Sequence, residues 1–275
     1  MLKKYNHYIF FITISCLLLT SCSRFSRLLK SSDMNLKFNA AVEYYEKKKF
    51  YNALQLFEEL VPLNRGTSKA EETYYYYSMC HFYINDYISA AYHLNNFVQQ
   101  FPASKHAEEA AFNNAYCYYL DSPGSSLDQQ STLDAIKQFQ IFADRYPESA
   151  KLPECNKLVD ELRAKLETKA YDNARLYYKM EDYKAAVVAF NNVIKDFPAT
   201  NYKEECLFLS LKSAYLYAIN SIDIKKEERF KSTIENYSKL IEAFPDSKYK
   251  READRIEKDS KEKIDALKYL NLPNP

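Results

Sequence analysis

A chain of 275 residues with 47% hydrophobic side chains has enough apolar material for two ordinary cores or one long repeat array. Its formal charge of +1, with lysine and glutamate interleaved, leaves no basic surplus to neutralise phosphates, so nucleic acid is excluded as a partner. The only 2 glycines, Gly66 and Gly124, exclude Gly-rich phosphate loops and the GxSxG nucleophile turn, while 26 Tyr and 17 Phe with 0 Trp point to ring-filled helix seams.

Lys3 and Lys4, the apolar run Ile9–Leu19 and then Thr20-Ser21-Cys22 form the basic, apolar and small-residue succession of a secretory leader over 1–21. The run is too short for a membrane-spanning helix, which takes about 20 apolar residues. Leu19-Thr20-Ser21-Cys22 resembles a bacterial lipobox. That resemblance implies acylation of Cys22 as the first mature residue, with 22–34 as a lipidated flexible linker. Ser23 in place of an aspartate implies, for lipoproteins of this kind, the periplasmic face of the outer membrane.

From residue 35 onward one pattern recurs. The first copy is the weakest: Phe50, Ala53, Phe57, Leu60 and Val61. Lys47-Lys48-Lys49 just before it reads as a solvated helix end. The second copy is the clearest, with Tyr87, Ala90, Leu94, Phe97, Val98, Phe101 and Pro102. The third keeps Thr132, Ala135, Phe139, Phe142, Tyr146 and Pro147. The fourth has Tyr183, Ala186, Phe190, Val193, Ile194, Phe197 and Pro198, and the fifth Phe230, Thr233, Tyr237, Leu240, Ile241, Phe244 and Pro245. Steps of three, four and seven put these side chains on one helix stripe. The proline stops the helix, and the Ser or Thr two residues later (Ser104, Ser149, Thr200, Ser247) is expected to N-cap the next one.

The helices ahead of each stripe repeat as well, since Ala70–Phe82 aligns with Ala107–Tyr119. Asn85-Asp86-Tyr87 and Glu181-Asp182-Tyr183 are similar to the Gly-Asp-Tyr turn of tetratricopeptide repeats, with the glycine replaced. The anchors Ala53, Ala90, Ala135, Ala186 and Thr233 lie farther apart than the roughly 34 residues of that repeat. The excess falls in a loop over Asp121–Ser126, a long helix over Glu154–Met180 and an extended turn over Ile222–Lys226. A charged helix after Ser247 would cap the open end. The expected fold is all-α: a tetratricopeptide-like helix-hairpin solenoid of about five repeats, in two lobes joined by the long helix. The first lobe, 35–153, holds repeats 1–3; the second, 154–258, holds the long helix and repeats 4–5; 259–275 form the helix end and tail.

No chemistry emerges from this pattern. Cys80, Cys117, Cys155 and Cys206 form no CxxC pair, and the equivalent places of Cys80 and Cys117 read as small core positions, although disulfides stay open. His81, His93 and His106 have no metal-ligand spacing. No cofactor, metal or catalytic residue is expected, and the chain reads as a binding protein.

The lipobox, the repeats, the aromatic-Pro terminators and the third-repeat stretch Asp128-Gln129-Gln130-Ser131-Thr132-Leu133-Asp134-Ala135 together resemble the BamD family, outer-membrane lipoprotein subunits of the β-barrel assembly machinery. The resemblance implies a part in folding and inserting outer-membrane β-barrels. It implies docking of the second lobe on periplasmic domains of the barrel-forming subunit, and a groove in the first lobe for unfolded outer-membrane proteins. In the tetratricopeptide frame the groove positions are Phe38, Val42 and Tyr45, then Tyr75, Met79 and Phe82, then Phe112, Tyr116 and Tyr119. The alternatives are another periplasmic repeat lipoprotein coordinating envelope or cell-wall work, and a glycan-binding lipoprotein. Zero Trp and modest loops count against the last.

Overall fold

The structure is a computed structural model that describes residues 24–270. Cys22 and the leader lie outside the described residues. Among the described residues the regular structure is helical throughout: α1 (24–29), α2 (Met34–Glu46), α3 (Phe50–Leu63), α4 (Ala70–Tyr83), α5 (Tyr87–Gln100), α6 (Ala107–Asp121), α7 (Gln130–Arg145), α8 (Leu152–Lys179), α9 (Tyr183–Asp196), α10 (Lys203–Ile219), α11 (Asp223–Ala243) and α12 (Lys250–Leu270). The expected all-α helix-hairpin fold is what these residues adopt, with each hairpin a first and a second helix of one repeat. The chain divides into two compact units inside α8, between Leu162 and Arg163, rather than ahead of that helix.

Of the described residues, the first unit comprises 24–123 and 128–162. Its core starts where Ala53, Leu56, Phe57 and Leu60 of α3 meet Phe38 and Ala41 of α2. It continues through Ala90, Leu94 and Phe97 of α5 against Tyr75 and Met79 of α4. It closes where Phe112 of α6 and Phe139 and Phe142 of α7 meet Cys155, Leu158 and Leu162 of α8. The segment expected to be a flexible linker is instead seated on this core. Leu28 is buried, the Phe25 ring meets Tyr44 edge-on at 5.5 Å, and the buried Lys37 ammonium donates to the Leu29 carbonyl at 3.0 Å while pairing with Glu59. Its basic, serine-rich composition hid two apolar side chains, Phe25 and Leu28, spaced to face one side of a helical turn.

The second unit comprises 124–127 and 163–270 of the described residues. Tyr171 and Ala174 of α8 pack with Ala186, Phe190 and Val193 of α9 and Cys206 of α10. Leu207, Phe208 and Leu211 then meet Leu240 of α11 and Ala253 and Ile256 of α12. The residues Ile222–Lys226, expected to lengthen a turn, mostly extend the helix: α11 starts at Asp223 and runs 21 residues, against 14 for α9. The third-repeat loop is held by Lys169, whose ammonium donates to the carbonyls of Ser125 and Leu127.

All five anchors are fully buried, as a close helix approach demands. The terminators work differently from the expectation. Ser104, Ser149, Thr200 and Ser247 sit ahead of the helix and do not cap it in the usual way. Each hydroxyl accepts the backbone N–H two residues on, at 3.0–3.1 Å, in a turn closed from the carbonyl of the preceding aromatic residue. The same hydroxyl donates to a glutamate in the preceding first helix: Ser104 to Glu71 at 2.6 Å, Ser149 to Glu108 at 2.6 Å, Thr200 to Glu167 at 2.5 Å and Ser247 to Glu204 at 2.7 Å. One turn beyond each glutamate a ring packs against the residue two past the Ser or Thr. Tyr75 stacks on His106 at 4.0 Å, Tyr171 on Tyr202 at 4.0 Å and Phe208 on Tyr249 at 4.2 Å; the Lys151 ammonium lies 4.3 Å over Phe112. The polar bond and the ring contact together clamp each repeat to the next. At the first junction Met34 occupies the glutamate slot and Thr67 donates to the Asn64 carbonyl instead, while the turn bond from the Lys69 N–H and the ring contact persist, with the Lys69 ammonium at 4.6 Å over Phe38.

The glycine-less turns also have a physical cost. Lys48, Asn85 and Glu181 hold φ of 55°, 64° and 62°, each ending a first helix with paired backbone bonds such as Asp182 N–H to Tyr177 O and Glu181 N–H to Tyr178 O. A side chain at positive φ costs about 1 kcal/mol, less for asparagine. Glu181→Gly is therefore expected to stabilise the second unit by about 0.5–1 kcal/mol, and Asn85→Gly to gain less, in urea titrations.

Candidate functional site

Of the nine expected groove residues, the structure takes four out of reach of a partner. Phe38, Tyr75 and Phe112 are buried because they are the rings of the clamp, turned toward the next first helix. Met79, in the second slot, is buried among Ala90, Leu94 and Phe97, and its sulfur lies 3.5 Å from the Asn113 amide. The first slot of the stripe expected from tetratricopeptide spacing is consumed by packing between repeats.

Val42, Tyr45, Phe82, Tyr116 and Tyr119 are half-buried, and four of these carry rings. The four rings form one line with a residue that spacing alone missed, while Val42 packs on the first core. Tyr45 of α2 meets Tyr83 of α4 at 5.8 Å; Tyr83 meets Phe82 at 5.4 Å; Phe82 meets Tyr116 of α6 at 6.3 Å; Tyr116 stacks on Tyr119 at 5.5 Å. Phe50, opening α3, stacks on Tyr83 at 4.4 Å, and Tyr87, opening α5, lies 6.2 Å from Phe82. The opening aromatics Phe50 and Tyr87 were visible in the repeat pattern, yet their nearness to the end of a first helix was not. Tyr83, 44% exposed, is the most open ring of the line.

The line is tied at its Tyr119 end. The Tyr119 hydroxyl donates to Glu161 at 2.6 Å, and that carboxylate pushes the phenol up to about 12. Burial raises the Tyr45 phenol too, reinforced by neighbouring Tyr83 and Tyr75. Both phenols stay neutral across the physiological range, with the negative charge at this end of the line held by Glu161. Flat, half-buried rings held by neighbours lose little entropy on contact, which suits capture of apolar or aromatic side chains from an extended segment.

The four consecutive tyrosines of α4 divide among three surroundings. Tyr75 enters the clamp and also donates to Glu109 at 2.9 Å. Tyr76 stacks on Phe57 and meets Tyr45, at 5.5 and 4.8 Å. Tyr74 and Tyr77 turn toward α5, where they line a cavity of about 670 Å³ with Tyr92, His93 and Asn96. Burial and the nearby His81 push the His93 imidazole down to about 4, and its Nδ1 lies 3.2 Å from the Tyr74 hydroxyl. His81 Nδ1 pairs with Asp86 at 3.0 Å, so these histidines serve the hairpin. All four described cysteines are free and buried, and burial pushes the thiols of Cys80, Cys117 and Cys206 up to about 12 and that of Cys155 to about 11. They act as small apolar core residues, inert as nucleophiles.

A family model described as YfiO, outer membrane lipoprotein, matches residues 30–228, which is most of the chain. The chain belongs to this family. As a YfiO-family outer membrane lipoprotein, it is similar to a protein of Rickettsia prowazekii (strain Madrid E) named outer membrane protein assembly factor BamD. The two are 21% identical over 183 residues, covering 66% of this chain and 73% of the relative. Among solved structures, the TPR2AB domain of yeast Sti1 in its pHSP90 complex aligns over 84% of this chain and 99% of its own at 14% identity, with a TM-score of 0.38. Among the described residues no helix of this lipoprotein is long and apolar enough to cross a membrane.

Proposed function

We propose that this lipoprotein, anchored through an acylated Cys22 on the periplasmic face of the outer membrane, is a scaffold of the β-barrel assembly machinery. It takes part in folding and inserting β-barrel proteins by protein–protein binding. The observation that carries the reading is the family match over residues 30–228, supported by a relative named as an assembly factor. The half-buried aromatic line of the first unit would receive extended, aromatic-bearing segments of unfolded outer-membrane proteins. The second unit would dock the periplasmic domains of the barrel-forming subunit.

The receiving face is tested with a synthetic peptide of alternating aromatic and polar residues, using the full mature chain. Each ring contact contributes about 0.5–1.5 kcal/mol, so Phe82→Ala combined with Tyr116→Ala should weaken binding by roughly tenfold to a hundredfold. Tyr51→Ala, an exposed ring on α3 outside the line, should leave affinity unchanged. Parent-like binding by the double variant would remove the aromatic line from the account.

A further inference from the structure

The seating of α1 has a geometric consequence for the anchored protein. Arg24 lies two residues after Cys22, a span of at most about 7 Å of extended chain. Phe25 and Leu28 hold the far side of α1 against α2 and the first core, and Lys37 fixes its last carbonyl. A lipid on Cys22 therefore holds the Arg24 end of α1 close to the headgroups.

The charges that α1 itself carries are of one sign. Residues 24–32 contain Arg24, Arg27 and Lys30, all exposed, and no acid. The basic rim continues onto α2, because Glu43 pairs with Arg24 at 3.3 Å and with Lys47 at 2.5 Å, and Lys48 and Lys49 follow in the exposed turn. Six exposed cations thus stand among three acids, Asp33, Glu43 and Glu46, in a chain whose whole formal charge is only +1.

We infer that α1 and the adjoining end of α2 form a membrane-docking face that binds anionic lipid headgroups and sets the orientation of the first unit on the bilayer. This rests on the lipid-anchor reading above. The acyl chain supplies attachment, whereas the rigid basic face supplies orientation, because cations within about 8 Å of an anionic surface escape most salt screening. A free tether of the same composition would attach the protein without orienting it.

The experiment is co-flotation of the non-acylated mature chain (residues 22–275 carrying Cys22→Ser) with vesicles of pure phosphatidylcholine, or of phosphatidylcholine and phosphatidylglycerol at two to one. Binding is expected only to the anionic vesicles, with release in high salt. At roughly fivefold per cation, Arg24→Gln, Arg27→Gln and Lys30→Gln together should weaken it about a hundredfold. Lys47→Gln, Lys48→Gln and Lys49→Gln, which alter only exposed side chains, should weaken it similarly and serve if the first variant melts early. Equal binding to both vesicle types, or parent-like binding by a variant with the parent's melting curve, would overturn the proposal. Fractionation of Cys22→Ser from intact cells tests the anchor separately: retention of that variant in the outer membrane without acylation sinks the anchor reading, whatever the vesicles show.

Discussion

Replacing Phe190 with alanine is expected to cost the second unit about 3–5 kcal/mol, the usual range for emptying a fully buried phenylalanine site. Phe190 of α9 is fully buried among Tyr171 and Ala174 of α8, Ala186 and Val193 of its own helix, and Cys206 of α10. Those neighbours are themselves fixed by the Tyr171–Tyr202 stack and the Thr200–Glu167 bond, so they can collapse little into the space left behind. Val188, two residues earlier and 56% exposed, is the matched control: Val188→Ala should change stability by no more than about 0.5 kcal/mol. Urea unfolding followed by hydrogen exchange in α9 and α10 separates the two. Equal effects at both positions would mean that the stripe does not face the core.

The second large effect is expected at the clamp between Glu204 and Ser247. The Ser247 hydroxyl and the Lys248 N–H both donate to the same Glu204 oxygen, at 2.7 and 2.9 Å, while Ser247 Oγ accepts the Tyr249 N–H at 3.1 Å. Hydrogen bonds to a charged acceptor contribute about 1.5–3 kcal/mol, and removing one partner leaves the buried Ser247 hydroxyl unsatisfied. Glu204→Ala and Ser247→Ala should each destabilise by about 2–3 kcal/mol, and the double variant by little more than either alone. Strict additivity would show that the two groups do not act as a pair. The donors are neutral, so added salt should change the result little, in contrast to the exposed Lys258–Glu262 pair on α12.

The sequence carried much of the fold because the repeat stripe is local. Ala, a ring seven residues on from the opening aromatic and a terminal proline can all be read within one helix. It misled where a contact depends on a residue 30 or more positions away. Ser104 looked like a helix cap because capping is the local use of serine; its real partner, Glu71, sits on the preceding first helix. Phe38, Tyr75 and Phe112 looked like groove residues for the same reason, since nothing within their own helices announces the ring or ammonium that follows the next terminator. Tyr83 was overlooked because it falls outside the i, i+4, i+7 series, although the neighbouring Phe82 was read from it. The linker expectation failed on composition: arginines and serines around Phe25 and Leu28 resemble a tether until the apolar pair meets a surface.

The most direct test of the central claim is recovery of the full, acylated chain from its native outer membrane in mild detergent, followed by identification of what accompanies it. The account predicts the barrel-forming assembly subunit in stoichiometric amount. Recovery of cell-wall enzymes in its place, with the barrel-forming subunit absent, would contradict it.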